Sequence, residues 1–269
     1  MSKGRRILRS IGFLLASSFL MLVVAIPTLF LARRFYSEVI GRWIGRTVLR
    51  IWGVDFTTHY SEPLQDRQTV YISNHTSTLD VMLLIALALP RARFFLSGYL
   101  RKFPVVLIIG YIIRVFWTVP QQFTERRREI FRRADRILRR TGDSVYLSPE
   151  GKCVTTGEIG AFNKGSFHLA TSLKAPIVPI YIYIPPTVQG WRGYGAQPGT
   201  VDVYFLPAIN TSLWQLEDLE LNRDRVRNLY LRVHDAMRRS GTLPADIGIE
   251  PVETEVTPTV IPKVMKVAV

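Results

Sequence analysis

The hydrophobic pattern of the chain begins with an uninterrupted apolar segment. Residues 10–32 carry no charged side chain and consist mostly of Leu, Phe, Val, Ile and Ala. A helix of about 20 apolar residues is long enough to span a bilayer. A cleaved signal peptide has a shorter apolar core followed by small residues, whereas Arg33 and Arg34 follow this segment. The pattern therefore predicts an N-terminal helix that anchors the chain in a membrane.

The next segment has the periodicity of an amphipathic helix. Two rows recur at helical spacing: Tyr36, Ile40, Trp43, Ile44, Val48 and Ile51 on one side, and Arg42, Arg46 and Arg50 on the other. Such a helix suits an anionic lipid interface, and it would equally well pack on a soluble domain with its arginines in water. Because both flanks of the apolar segment are basic, the positive-inside rule gives no orientation. A re-entrant hairpin bent at Pro27, with both ends on the cytoplasmic side, is our hypothesis for the topology.

Further along the chain, short apolar runs alternate with segments of helical length. Strands are predicted at residues 69–73, 93–97, 116–119, 144–147, 177–184 and 201–206, and helices at 77–89, 103–116, 125–140 (with Thr124 as its cap), 165–173 and 217–239. Strands separated by helices of this size predict an α/β fold with a mixed central sheet flanked by helices. The predicted organisation is a membrane-anchoring helical segment (1–52), one α/β domain (53–243) and a flexible tail (244–269) without aromatic residues.

The charge distribution changes the first impression given by composition. The 269 residues carry a net charge of +14, which alone suggests a nucleic-acid partner. Residues 1–50 have a net charge of +8 and residues 91–140 one of +10, so the rest of the chain is slightly acidic. The excess is therefore local, and it borders an apolar segment. We interpret it as a footprint for a lipid interface, and we expect no nucleic-acid partner. The single Cys153 excludes a disulfide framework and a Cys-rich zinc site.

A candidate catalytic pair follows the first predicted strand. His75 and Asp80 are five residues apart, and on one helix they would point about 140° away from each other. They can meet if His75 lies in the loop and Asp80 in the first helical turn, with Ser77 as the cap of a capping box. Asp80 would then fix the tautomer of His75, whose other nitrogen could take a proton from a substrate hydroxyl. The alternative is an ordinary loop histidine beside a capping aspartate.

A second cluster follows the strand predicted at 144–147. Residues 148–152 read Ser-Pro-Glu-Gly-Lys, at the strand end where α/β folds place their sites. Phe162, Lys164 and Gly165 come next, and residues 175–179 (Ala-Pro-Ile-Val-Pro) follow the helix after them. The alternative is a surface turn with prolines that interrupt a strand. No His, Asp and Glu residues have the spacing of metal ligands, so no metal is expected.

Together these blocks resemble the glycerolipid acyltransferases, whose type member is 1-acylglycerol-3-phosphate acyltransferase. Four blocks carry the resemblance: Asn74, His75 and Asp80 match its N-H-x-x-x-x-D; Pro149, Glu150 and Gly151 match its P-E-G; Phe162, Lys164 and Gly165 match its F-x-K-G; and residues 175–179 match its V-P-I-V-P-like block. Their order and spacing agree over roughly residues 55–240.

The resemblance implies transfer of a fatty acyl group from acyl-CoA or acyl carrier protein to the hydroxyl of a lysophospholipid, at the cytoplasmic face of a membrane (the inner membrane in a bacterium). His75 would be the general base and Asp80 its orienting partner. Asn74, Glu150 and Gly151 would contact the acceptor, and Pro179 would shape the acyl or acceptor site. Because a thioester is already activated, no cofactor is needed beyond the thioester co-substrate itself.

Two departures from the family pattern concern the acceptor. The family's second block usually ends in an arginine that binds the acceptor phosphate, and here the corresponding stretch ends in residues 120–122, Pro-Gln-Gln. The family also commonly has Thr-Arg after P-E-G, where this chain has Lys152 and Cys153. Lys152 and Lys164 are candidate substitutes, as point charges without the guanidinium fork. The most direct expectation is 1-acylglycerol 3-phosphate as acceptor and phosphatidic acid as product. The alternatives are a lysolipid with another head group, such as a lyso-ornithine type, a phospholipid transacylase, or a basic lipid-binding membrane protein without activity.

Overall fold

The computed structural model describes residues 3–28, 32–189, 196–244 and residue 247. Helix α1 extends from Lys3 to Ala25, and it is long and apolar enough to cross a membrane by length and composition. It therefore begins earlier than the predicted segment, and Pro27 lies in the turn that follows it. A π-helical segment, Phe35–Ile40, leads directly into helix α2, Gly41–Trp52. Of the predicted tail (244–269), only residues 244 and 247 are described.

A seven-stranded sheet forms the centre of the fold. Its strands are β1 (Val54–Tyr60), β2 (Val70–Ser73), β3 (Ala92–Ser97), β4 (Phe116–Thr118), β5 (Ser144–Tyr146), β6 (Ile177–Tyr183) and β7 (Gly199–Phe205). Their order is β1-β7-β6-β2-β5-β3-β4, and the pairing is parallel except between β6 and β7. The predicted mixed α/β sheet is confirmed. The sequence reading missed β1, which alternates exposed and half-buried positions at the sheet edge.

Helices cover both faces of the sheet. The remaining helices are α3 (Leu79–Leu87), α4 (Pro104–Ile112), α5 (Thr124–Thr141), α6 (Gly165–Leu173) and α7 (Leu219–Ser240). The core on one face takes side chains from α1 to α4, and the core on the other takes them from α5 to α7. Neighbouring residues of β2 divide between the two cores: Tyr71 packs in the first, and Val70 and Ile72 pack in the second. Burial on both faces explains why β2 has no polar alternation.

Helix α2 packs on the domain rather than standing apart from it. Ile44, Val48 and Leu49 are buried. Gly45 lies so close to α3 that a Cβ atom there would come within 2.6 Å of the Ala86 nitrogen. The arginine row predicted on its other side is exposed. Of the two interpretations of this helix, packing on the domain holds for its apolar side, and its basic side remains free to face water or lipid head groups.

Several predicted helix ends are wrong by a few residues, for local reasons. Helix α3 ends at Leu87 because Ala88 adopts a left-handed conformation with φ +50°. Helix α4 stops at Ile112, four residues before the predicted end, and Arg114 then takes a φ of +58°. Thr124 is the first residue of α5 and makes no capping bond, whereas the prediction made it the cap. These ends depend on backbone conformations that side-chain periodicity does not encode.

Candidate active site

The loop from β2 to α3 holds the His75 side chain at the carboxyl end of the sheet. Asn74 fixes the start of this loop: its Nδ2 donates to the carbonyl oxygen of Ile182 at 2.9 Å, and its Oδ1 accepts from the Ile182 nitrogen at 2.8 Å. Asn74 is 2% exposed. Because both polar atoms of the amide bind the backbone of β6, Asn74 positions the loop. Its predicted substrate contact stays a prediction.

His75 and Asp80 meet as their spacing predicted. The His75 Nδ1 atom lies 2.9 Å from Asp80 Oδ2, which also accepts the backbone N–H groups of Thr76 and Ser77 at 2.9 and 3.0 Å. Asp80 is buried, and the His75 side chain is 23% exposed. A carboxylate at Nδ1 requires the proton on that nitrogen, so Nε2 is left with a free lone pair. The arrangement can therefore remove a proton from a hydroxyl that approaches Nε2.

The predicted cap is wrong by one residue, because the cap position of α3 is Thr78 and not Ser77. Ser77 Oγ accepts from the Leu79 nitrogen at 3.1 Å, and the Asp80 carboxylate reaches back to the Ser77 nitrogen. Asp80 lies in the first turn of α3, and its carboxylate both holds the loop before the helix and orients His75. This explains locally why a loop histidine and a helical aspartate can stay in register.

Glu150, in the loop after β5, ties two loops together. Its Oε2 accepts the backbone N–H of His75 at 2.7 Å, and its Oε1 accepts that of Gly160 at 2.8 Å. The side chain is 2% exposed. Both carboxylate oxygens thus bind backbone and position the two loops. The predicted acceptor contact of Glu150 stays a prediction. Burial raises the pKa of Glu150 to about 7, against the opposing effect of these two hydrogen bonds.

Position 151 requires glycine because of its backbone conformation and its close neighbours. Its φ is +67°, and a Cβ there would lie 2.8 Å from Asn163 Nδ2 and 3.3 Å from Gln121 Nε2. Asn163 Nδ2 donates to the carbonyl oxygens of Pro149 and Glu150, both at 2.9 Å. Any side chain at position 151 would displace the amide that fixes this turn. Sequence reasoning missed Asn163, although it stands inside the Phe162-to-Gly165 block.

The remaining predicted site residues lie in different surroundings. Lys152 is exposed beside Gly151. Lys164 pairs with Glu220 on α7, and both side chains are at least half exposed. Pro179 is buried within β6, opposite Ile72 of β2. The structure therefore brings His75, Asp80 and the loop of residues 150–152 together. Lys164 stands at the cap position of α6, where it pairs with Glu220 of α7, and Pro179 lies in the sheet. Their substrate contacts stay predictions.

Two further features limit the chemistry of the site. Burial raises the pKa of the Cys153 thiol to about 11, so this thiol is protonated at neutral pH. In the part of the chain that the structure describes, no three His, Cys, Asp or Glu side chains come together as a metal site. The reactive group that the geometry offers is the His75 imidazole.

We expect Glu150→Gln to change how stability depends on pH. A carboxyl group with a raised pKa in the folded state binds a proton there that the unfolded chain releases, so its contribution to stability falls as pH rises from about 4.5 to about 7. Relative to the variant, the free energy of unfolding of the wild type should fall by up to about 3 kcal/mol over this range. Urea unfolding in detergent at pH 5 and pH 8 measures this difference. Glu217→Gln, at an exposed position, is the matched control, and parallel pH curves for wild type and Glu150→Gln would contradict the expectation.

Known proteins share both sequence and fold with this chain. The family model described as "Acyltransferase" matches residues 55–183, which is the segment from β1 to the end of β6. The 1-acyl-sn-glycerol-3-phosphate acyltransferase of Limnanthes douglasii is 27% identical over 222 residues, covering 79% of this chain and 75% of the relative. The human 1-acyl-sn-glycerol-3-phosphate acyltransferase beta is 27% identical over 221 residues, covering 80% and 78%.

A solved structure has a similar fold. The crystal structure of the 1-acyl-sn-glycerophosphate (LPA) acyltransferase from Thermotoga maritima superposes with a TM-score of 0.60 at 21% identity. The match covers 87% of this chain and 98% of the other. Because it extends beyond residues 55–183, the shared architecture includes helices outside the segment that the family model recognises.

Proposed function

Because this chain is an acyltransferase similar to the 1-acylglycerol-3-phosphate O-acyltransferases, we propose that it transfers a fatty acyl group from a thioester to the hydroxyl of 1-acylglycerol 3-phosphate. The product is phosphatidic acid. The observation that carries this proposal is the His75–Asp80 pair, joined at 2.9 Å with Nε2 free, in a loop fixed by Asn74 and Glu150. The names of the relatives favour this acceptor.

In the proposed reaction, His75 Nε2 takes the proton of the acceptor hydroxyl as its oxygen attacks the thioester carbonyl. Asp80 stabilises the imidazolium that forms. The tetrahedral intermediate then collapses, the C–S bond breaks, and the leaving thiolate takes the proton from the imidazolium. The products are the ester and a free thiol, and His75 returns to its neutral form. No enzyme nucleophile is needed, because the acceptor supplies it.

Lys152 is the proposed cation for the acceptor phosphate. It is exposed beside the Gly151 turn, and it has no ion-pair partner among the residues that the structure describes. Lys164 is a weaker candidate, because it is paired with Glu220. Gln121, in the stretch where the family usually has an arginine, donates to Asn163 Oδ1 at 3.3 Å. This substitution keeps a lysolipid with a different head group as a second candidate acceptor.

The test is a purified enzyme assayed with labelled acyl-CoA and acyl carrier protein against a panel of lysolipids. We expect turnover with 1-acylglycerol 3-phosphate to exceed that with lyso-ornithine lipid or lysophosphatidylethanolamine. A preference for one of those would replace the acceptor but keep the acyl transfer. Transfer between phospholipids without any thioester would identify a transacylase. Lipid binding without turnover on any acceptor would overturn the proposal.

We also propose that α1 and α2 hold the enzyme at the cytoplasmic face of a membrane, where thioester donors are available. Helix α1 packs on Trp43 and Trp52 of α2: the rings of Phe13 and Trp43 lie 5.0 Å apart, and Trp52 Nε1 donates to Ser10 Oγ at 3.1 Å. Its other side is an apolar row that is more than half exposed: Leu8, Ile11, Leu15 and Phe19. A helix with one packed and one exposed side supports the re-entrant topology over a free span.

Charges in this exposed row should release the enzyme from lipid. We expect the double variant Leu15→Glu with Phe19→Glu to lose most of its sedimentation with anionic vesicles, because two carboxylates would have to enter the apolar interface. Neither side chain is in the core, being 54% and 70% exposed. Leu213→Glu, at a position 86% exposed and far along the chain, is the control. Equal sedimentation of all three proteins would contradict this mode of attachment.

A further inference from the structure

A second concave surface lies at the edge of the sheet, outside the His75 loop. A groove of about 1100 Å³ extends along strand β4, and all of residues 115–120 line it. Helix α4 forms one wall with Tyr111, and helix α5 forms the other with Ile130, Arg133, Ile137 and Arg140. Its volume is slightly above the usual range of about 300–1,000 Å³ for small-molecule sites. Strand β4 pairs on one side only, with β3.

The groove is strongly basic. Five arginines line it: Arg93, Arg101, Arg114, Arg133 and Arg140. No acidic side chain is among its lining residues. Arg93 is buried and paired with Asp143, whereas the other four are exposed and form no ion pair within the described residues. Four unpaired guanidinium groups around one concavity repel one another, and an anion bound there would relieve that repulsion. We call this surface the arginine groove.

Aromatic side chains stand among these arginines. Tyr99, Tyr111 and Trp117 line the groove together with Phe116. Guanidinium groups bind phosphates in bidentate fashion, and aromatic faces stack on heterocyclic bases. The combination fits a ligand that carries both several phosphates and a base. A plain lipid head group would use the arginines and make no stacking contact with the rings.

One end of the groove leads to the His75 loop. The part of the lining that follows β4 ends at Pro120. The next residue, Gln121, donates from its Nε2 to Asn163 Oδ1 at 3.3 Å. Asn163 in turn binds the Glu150 carbonyl oxygen, and the Glu150 carboxylate holds the His75 nitrogen. A ligand that lies along β4 can therefore extend toward His75. Strand edges carry unpaired N–H and C=O groups, which suit the amides of a pantetheine arm.

We propose that the arginine groove binds the phosphorylated nucleotide of acyl-CoA, with its pantetheine arm directed along β4 toward His75. This inference rests on the proposed function, because it assigns the donor of the same reaction. Two of the groove's exposed arginines, Arg133 and Arg140, lie on α5 seven residues apart, which is about two helical turns on one face. The donor is thus held through its nucleotide, and the thioester itself needs few contacts.

The test compares two double variants of α5 with the same change in charge. Arg133→Gln with Arg140→Gln alters the groove. Arg132→Gln with Arg136→Gln alters exposed arginines of α5 that do not line it. Each enzyme is assayed with acyl-CoA and with the N-acetylcysteamine thioester of the same fatty acid, which has no nucleotide. We expect the preference for acyl-CoA, as a ratio of kcat/KM values, to fall about tenfold in the groove variant and by less than twofold in the other.

Calorimetry with adenosine 3′,5′-bisphosphate decides the same question without turnover. We expect the wild type and the Arg132/Arg136 variant to bind it alike and the groove variant to bind it about tenfold more weakly. Equal losses in both variants, or none in either, would overturn the proposal. A loss confined to acyl carrier protein or to anionic vesicles would overturn it in favour of those partners. If the wild type acylates no lysolipid, the proposed function fails. The binding measurement would still show whether the arginine groove binds the phosphorylated nucleotide.

Discussion

His75→Ala and Asp80→Ala should each abolish most acyl transfer while leaving the protein folded. Removing the imidazole removes the only base that the loop presents, and a positioned general base is worth about 10²–10⁴ in rate. Asp80→Ala removes the partner of Nδ1 and two bonds to the backbone of the loop. Its effect on kcat should approach that of His75→Ala, because a misoriented imidazole cannot reach the hydroxyl. The measurement is kcat and KM with labelled acyl-CoA.

The chain offers a matched control for this pair. His59 Nε2 and Asp202 Oδ1 also lie 2.8 Å apart, but on β1 and β7 at the surface, with the His59 side chain 43% exposed. His59→Ala should retain wild-type turnover. Vesicle binding and the unfolding midpoint of His75→Ala should stay near those of the wild type, since this side chain is partly exposed. Turnover retained in His75→Ala would overturn the base assignment.

The His75–Asp80 contact could be predicted from the sequence because it is local. Five residues and one helix start determine it, and the capping pattern shows where the helix begins. The roles of Asn74 and Glu150 could not be read in this way. Their partners, Ile182 and Gly160, come from other segments, and the bond of Glu150 to the His75 nitrogen spans 75 residues. A motif shows that such residues matter, whereas only the packed sheet shows which backbone groups they bind.

Burial on both faces made strand β2 predictable, whereas the edge strand β1 was missed. Strand β2 is continuous and apolar, and its prediction was wrong by one residue at one end. Strand β1 has the sequence Val-Asp-Phe-Thr-Thr-His-Tyr, whose polar residues face water at the edge of the sheet. The arginine groove could not be foreseen either. The sequence of α5 is rich in arginine, but which arginines share a concavity depends on α4 and β4 around them.

Asp143→Ala should destabilise the protein more than any exposed ion-pair variant. Asp143 Oδ1 lies 2.5 Å from Arg33 Nη2, and its Oδ2 lies 2.8 Å from both Nε and Nη2 of Arg93. All three residues are at most 6% exposed. The variant leaves two buried guanidinium groups without a carboxylate, and breaking a buried pair from one side costs about 3–5 kcal/mol. Because Arg33 follows the apolar N-terminal segment, the loss should also loosen α1 and α2 on the domain.

Asp224→Ala is the control for this prediction, because Asp224 pairs with Arg223 at the surface, where such pairs contribute at most about 1 kcal/mol. The pH dependence is a second signature. Burial alone would raise the pKa of Asp143, but Arg33 and Arg93 together outweigh it and hold the pKa below its usual value. Its contribution should therefore be complete above about pH 4 and lost as pH falls through the lower folded-state pKa. Urea unfolding in detergent should show a constant gap between wild type and Asp143→Ala from pH 5 to 8. A gap no larger than that of Asp224→Ala would show that the two arginines find other partners, and the ion triad would then not fasten the N-terminal segment to the sheet.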